Sequence, residues 1–277
     1  LKKTNRFAVI ADNASLTGLN EFKLNNESDS NYNTVFRWLC DALYLMNIEY
    51  DVIPADPALF ASYENILVPA LYSATDEVLN ALNEFVANGG NMVVTFKSAF
   101  SDEHLKIRHD IQPYIINKAL GIQYDEFTLP DNVTVSCGGK SSKARDWMEM
   151  VVCTTATPVA MYEHKHWGVH AAITENSYGK GRAMYLATLF GEDTLIEALK
   201  LFFGEQKNEF DASYPVVIKR GTNMQGEKII YLLNYSDDEQ TVTCHADGLK
   251  KLCDDSTVSA GDCIALAPWD FSILYAD

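Results

Sequence analysis

The chain has no CxxC pair among its cysteines: Cys40, Cys137, Cys153, Cys244, Cys253 and Cys263 are scattered. That excludes a zinc knuckle or a disulfide framework and points to reduced thiols in a cytoplasmic protein. Basic residues are scarce, 22 Lys+Arg against 38 Asp+Glu for a net charge of −16. With no Lys/Arg cluster to receive phosphates, nucleic acid and anionic membranes are excluded as partners, and the acidity reads as solubility. No apolar run reaches the roughly 18 residues that would span a bilayer. The opening LKKTNRFAVI has neither an initiator Met nor a signal peptide, as expected of an internal fragment. The Asn-x-Ser/Thr triplets at Asn13, Asn26, Asn132 and Asn234 carry little weight in a cytoplasmic chain.

What is present is ordinary globular material, 47% hydrophobic and 22% charged over 277 residues, a length that favours two domains. FAVIA (7–11) reads as a buried strand, followed by a long polar loop from Asp12 through Asn33. Val35, Leu39, Ala42, Leu43 and Met46 recur at helical spacing, with Asn31 or Asn33 as the N-cap. Strands are expected at 49–53 and 65–70, and a helix over 75–90 with Thr75 as its cap and Gly89 at its end. Val78, Leu79, Leu82, Phe85 and Val86 form the apolar face of that helix. NMVVTF (91–96) is a strand of the kind buried on both faces.

This alternation predicts an α/β domain over 1–205. The expected fold is a flavodoxin-like, class I glutamine amidotransferase-like, doubly wound sheet whose ligand edge lies at the carboxyl ends of the strands. Within it, 101–168 is irregular, with a helix at 113–120 and short strands near 127–135 and 148–153. The segments 170–174 and 182–188 form a hairpin around NSYGKG, and a helix over 193–203 closes the domain through Leu195, Ala198, Leu199 and Phe202. After Gly204-Glu205-Gln206-Lys207 the periodicity changes to two. Strands at 215–220, 228–234, 240–245, 248–253, 262–267 and 271–275 predict a small all-β antiparallel sandwich over 206–277.

Chemistry is sought first at the ligand edge. An amidotransferase or hydrolase needs a nucleophile elbow after NMVVTF, but Lys97-Ser98-Ala99-Phe100 offers neither Gly-x-Cys-x-Gly nor Gly-x-Ser-x-Gly. The loop Asp12-Asn13-Ala14-Ser15 lacks the clustered glycines of a phosphate cradle, which disfavours flavin or nucleotide, and no cofactor is expected. In 164–170, His164, His166 and His170 have no carboxylate or cysteine at ligand spacing, so they read as a surface hairpin with no metal. Asp102-Glu103 and Asp254-Asp255 read as solvated loop pairs rather than a glycosidase pair.

FKSAFSDEH (96–104) is the most suggestive stretch, a strand end delivering Lys97, Ser98, Phe100, Asp102, Glu103 and His104 to that edge for sugar contact or a subunit joint. The alternative is a surface loop with Phe100 packed beneath it. In the β domain, Trp269 and Tyr275 are stacking candidates for a carbohydrate-binding module, while in PWDFSILYA (268–276) Phe271 and Tyr275 share one face and read as core.

Taken together, RWLCDALYLMNIEYDVI (37–53), LVPALYSAT (67–75), GGNMVVTFKSAFSDEH (89–104) and AAITENSYGKGRAMYLAT (171–188), in this order, resemble the middle domain of glycoside hydrolase family 42. The similarity runs over 6–203, and the chain from 208 onward is similar to the family's small C-terminal domain. The resemblance implies a β-galactosidase whose (β/α)₈ barrel, carrying two catalytic glutamates, precedes these domains, with the middle domain building a homotrimer against a neighbour's barrel. No position of this chain matches those glutamates, so no catalytic residue is carried over. The resemblance therefore implies an assembly portion unable to cleave a glycoside alone, belonging to a cytoplasmic enzyme that hydrolyses terminal β-galactosides by the retaining two-carboxylate mechanism. FKSAFSDEH would lie near the barrel mouths as a contact loop.

Overall fold

Phe7–Ile10 (β1), four consecutive buried residues, lies between two parallel neighbours in the computed structural model, which describes residues 1–21, 31–204, 206 and 208–276. The polar loop expected from Asp12 is in its first part a helix, Asn13–Glu21 (α1). The Asp12 carboxylate accepts the Ser15 N–H at 2.6 Å, an N-cap that helical periodicity alone did not reveal. The rest of that loop, with Asn26, lies outside the described residues. Tyr32–Leu45 (α2) begins as expected at Asn31, whose Oδ1 accepts the Thr34 N–H at 3.0 Å.

Tyr50–Ile53 (β2), Pro57–Phe60 (α3), Asn65–Val68 (β3), Asp76–Ala87 (α4) and Asn91–Thr95 (β4) follow. Thr75 Oγ1 caps α4 by accepting the Val78 N–H at 3.3 Å, and Asp76 and Glu77 complement the positive end of the helix. Val78, Leu79, Leu82, Phe85 and Val86 are buried, as their spacing predicts.

The irregular middle contains Asn117–Leu120 (α5), Ile122–Gln123 (β5), Phe127–Thr128 (β6), Thr134–Cys137 (β7), Lys140–Lys143 (β8), Arg145–Glu149 (β9) and Val152–Cys153 (β10). Near 127–135, where short strands are expected, two strands lie and pair with different partners, β6 with β9 and β7 with β8 and Thr157–Glu163 (β11). Ala171–Tyr178 (β12) and Gly181–Leu186 (β13) form the expected hairpin, Tyr178 opposite Gly181, around Gly179 at φ +61°. Gly181 is required by close approach: a Cβ there would stand 2.1 Å from the Gly90 carbonyl oxygen. Thr188–Leu189 (β14) and Glu192–Phe203 (α6) complete this part, with Leu195, Ala198, Leu199 and Phe202 of α6 buried.

The large sheet has nine strands in the order β2-β1-β3-β4-β13-β12-β11-β7-β8. It is parallel from β2 to β13 and antiparallel beyond, so this α/β unit carries a mixed sheet. By internal contacts the unit comprises Arg6–Ala42 and Tyr50–Gly204.

A second unit comprises Leu1–Asn5, Leu43–Glu49 and Glu205–Asp277. Its strands are Phe210–Asp211 (β15), Val216–Thr222 (β16), Lys228–Asn234 (β17), Gln240–Cys244 (β18), Leu249–Lys251 (β19), Thr257–Val258 (β20), Cys263–Leu266 (β21) and Phe271–Ala276 (β22). They form two antiparallel sheets, β16-β17-β22-β19-β20 and β15-β18-β21. Ile218, Ile230, Leu232 and Leu274 from one sheet and Val242, Cys244, Ile264 and Leu266 from the other share one core.

Phe271 is not part of that core. It is 57% exposed, because on β22 the inward position belongs to Leu274, and period two turns Phe271 and Tyr275 to the other face. Asn47 is held inside this unit: its Nδ2 donates to the Ala212 and Val216 carbonyls and its Oδ1 accepts the Ile218 N–H. Of the expected junction, Glu205 and Lys207 lie outside the described residues.

Candidate functional site

The carboxyl end of β4 is where a parallel sheet offers a ligand its first residues. Here the backbone turns sharply, with Lys97 at φ +62° and Ala99 at φ +58°, conformations that non-glycine residues rarely adopt. The neighbouring loop after β3 holds this turn in place. Thr95 Oγ1 accepts the Ala70 N–H at 2.8 Å, Ser98 Oγ accepts the Leu71 N–H at 3.1 Å, and the Ala99 and Ser101 N–H groups donate to the Leu71 and Tyr72 carbonyls. Ser73 Oγ then donates to the Asp102 carbonyl at 2.9 Å. The two loops thus continue the β3–β4 pairing beyond the strands.

Of the residues singled out in FKSAFSDEH, Lys97, Ser98 and Phe100 are buried, whereas Glu103 and His104 are exposed and Asp102 is half-buried. Asp102 Oδ1 accepts the His104 and Lys106 N–H groups, and these bonds hold its carboxyl below the usual range. Its role in the structure is to close the turn of 102–106.

Beneath the loop lies a polar cluster that no motif indicated. Glu149, at the end of β9, is fully buried. Its Oε1 accepts the Lys97 N–H at 2.9 Å and Trp147 Nε1–H at 3.1 Å, and its Oε2 accepts the Tyr185 hydroxyl at 2.6 Å. Burial pushes the Glu149 carboxyl up, against the downward pull of these donors. Burial likewise lowers the Lys97 ammonium to about 8, against the attraction of Glu149 and Asp146, and Lys97 Nζ stands 4.9 Å from the centre of the Trp147 ring. A signal was available in the sequence, a lone Glu inside the apolar run WMEMVV.

An aromatic stack covers the cluster. Trp147 lies against Phe127 with ring centres 4.2 Å apart, and Phe100 packs on Tyr72 at 5.7 Å and on Phe127 at 5.7 Å. Outside the stack the surface presents Ile107, Phe127 and Leu129, between 43% and 48% exposed, beside Glu103 and His104. Arg108 anchors the outer strand of the loop, with Nη1 2.8 Å from Asp76 and Nη2 donating to the Ala74 carbonyl. Chemically this is a sealed polar core: its carboxylate is occupied by donors and its lysine is 3% exposed.

The histidines of 164–170 serve a turn. His164 Nδ1 accepts the His166 N–H at 3.2 Å, so this imidazole closes the β11–β12 turn. At the opposite ends of the parallel strands a cleft of about 490 Å³ is lined by Phe60, Tyr63, Glu64, Glu84, Phe85 and Asn91 among others.

A family described as the beta-galactosidase trimerisation domain matches residues 5–209, most of the chain. The chain belongs to this family. Among full-length relatives, beta-galactosidase BgaA of Planococcus sp. is 26% identical over 229 residues, covering 79% of this chain and 34% of the relative. Beta-galactosidase LacA of Lactobacillus acidophilus is 25% identical over 257 residues, covering 89% of this chain and 38% of the relative. The chain thus spans little more than a third of the length of these relatives.

The fold is shared with crystal structures of beta-galactosidases from Bacillus circulans sp. alkalophilus and from Rahnella sp. R3. The first has a TM-score of 0.88 at 21% identity and covers 99% of this chain and 42% of its own. The second has a TM-score of 0.85 at 24% identity and covers 98% and 40%. The trimerisation-domain family is a non-catalytic part of such enzymes. Among the described residues no helix is long and apolar enough to cross a membrane.

Proposed function

We propose that this chain is the assembly and accessory portion of a cytoplasmic β-galactosidase, one that hydrolyses terminal β-D-galactosides with catalytic carboxylates carried on a separate barrel. In this reading 1–205 is a flavodoxin-like trimerisation domain, favoured by the parallel order β2-β1-β3-β4 with β13 next, and 206–277 is an accessory β domain. Six free cysteines suit a reducing compartment.

The observation that carries the reading is the character of the carboxyl edge. Where an α/β enzyme keeps reactive groups, this chain buries Lys97 and Glu149 and covers them with aromatic rings. What it offers outward is a mixed surface of Ile107, Phe127, Leu129, Glu103 and His104, a composition that suits a subunit joint. Lys97, Ser98 and Phe100 serve that joint from beneath by fixing the loop, while Asp102 shapes its turn and Glu103 and His104 meet the neighbour.

Light scattering on a sizing column across a tenfold concentration range tests the proposal. A stable mass of three chains supports it, and a monomer throughout counts against an assembly role for this chain on its own.

A further inference from the structure

We propose that the turn Ala267–Asp270 of the β unit presents Trp269 as a stacking platform for a neutral sugar ring. The turn is closed by the Asp270 N–H donating to the Ala267 carbonyl at 3.1 Å, with Pro268 second and Trp269 third. Trp269 has φ +56°, so a bulky residue occupies the place where a turn of this kind favours glycine. Its side chain is also 63% exposed. Both features cost stability, and neither contributes to the core of this unit, where Trp269 has no part. Strain concentrated at an exposed aromatic residue is a mark of a binding position.

The indole is held rigidly. Nε1–H donates to Asp237 Oδ1 at 2.8 Å and the Trp269 backbone N–H donates to the Ser236 carbonyl at 3.1 Å, so the ring edge is tied to the loop after β17. That loop is fastened to the Trp269 turn from below by Asn234, 1% exposed, whose Nδ2 donates to the Asp238, Leu266 and Ala267 carbonyls. Asn234 Oδ1 accepts the Ser236 hydroxyl at 2.7 Å. A preorganised ring with its N–H already engaged offers a ligand its face rather than its polar edge.

The surroundings select the ligand. Asp237, Asp238, Glu239 and Asp270 are exposed around the platform, and neither YSDDEQ (235–240) nor APWDF (267–271) contains a cation. Anionic ligands are repelled, whereas hydroxyl groups find carboxylate acceptors. Among the described residues no other ring stacks on Trp269, and Phe271 and Tyr235 lie exposed on neighbouring backbone, 57% and 41%. An open flat platform with acceptors at its rim suits the C–H face of a hexopyranose, whose hydroxyls point outward. A cation would be better served by several rings around it. The inference goes beyond the assembly reading and does not depend on it, because its readout is binding and not mass.

The test is titration of the whole chain with β-1,4-galactobiose, following the Trp269 indole N–H resonance and tryptophan fluorescence. The expected result is a saturable millimolar response that Trp269→Ala abolishes and Trp269→Phe partly retains, with all three proteins melting as cooperative folded chains. Asp238→Asn, which leaves the indole anchor in place, should weaken binding several-fold. No saturable response in the unaltered chain overturns the proposal. So does undiminished binding by folded Trp269→Ala, or a response to an arginine-rich peptide in place of the sugar.

Discussion

The Tyr185 hydroxyl meets Oε2 of Glu149 at 2.6 Å, joining the central strand β13 to the end of β9 beneath the loop that follows β4. Neither residue is exposed. Removing the donor from a buried acceptor costs more than the hydrogen bond is worth at the surface, because the acceptor is left without water or partner. Tyr185→Phe keeps the ring and removes only that donor. It should lower the unfolding free energy by about 2 kcal/mol, read from the urea midpoint at unchanged m-value. A loss below about 0.5 kcal/mol would show that the bond does not organise this core.

Lys97 makes the stability of the same core depend on pH on the alkaline side. The folded chain gives up this proton near pH 8, while a free lysine holds it to 10.5. Between those values the unfolded chain binds more protons, so this residue makes stability rise with pH across that window and penalises the fold below it. In the difference between the parent and Lys97→Met, melting temperatures measured from pH 7.5 to 10.5 should therefore show a rising component that only the parent has. Parallel curves for the two proteins would contradict the assignment.

Glu209 governs the acid side of the β unit. Burial raises its carboxyl, but Lys228 and Arg220 outweigh burial and bring it down to about 2. A depressed carboxyl stabilises the fold above its ordinary value of 4.5 and loses that contribution as pH falls towards 2. Glu209→Gln should therefore be less stable than the parent at pH 7, with the gap closing progressively between pH 4.5 and 2 in thermal melts. A gap independent of pH would mean that packing, not charge, is what the substitution removes.

At Gly181 the limit is space. A methyl group there would meet the Gly90 carbonyl at 2.1 Å and that of Val86 at 2.4 Å, both backbone atoms that cannot swing aside. Gly181→Ala should cost about 2 kcal/mol or more by thermal unfolding, whereas Gly139→Ala, which meets no atom within 4 Å but keeps a positive φ, should cost less.

Periodicity made most of the α/β unit legible. The faces of α4 and α6 and the buried runs of β1 and β4 follow from which residues recur and at what interval. It was silent on α1, whose few apolar residues leave the Asp12 cap as the main signal, and it put Phe271 on the wrong face of β22, since alternation gives two faces without saying which is inside. At the candidate site, the strand end and its loop were readable from NMVVTF and FKSAFSDEH. For Glu149 only its place in the apolar run WMEMVV was readable; Trp147 stands beside it on β9, but Lys97 and Tyr185 come from other elements that only the folded sheet brings to it.

The most direct test of the assembly account is sedimentation equilibrium of the chain beside Ile107→Asp, which adds a charge to the exposed rim of the carboxyl edge without touching the Glu149 cluster. A trimer joined through this edge gives a mass of three chains for the parent and a shift towards one chain for the variant, with both proteins equally folded. A trimer that tolerates Ile107→Asp would contradict this edge as the joint, and a parent that stays monomeric would contradict the assembly role itself.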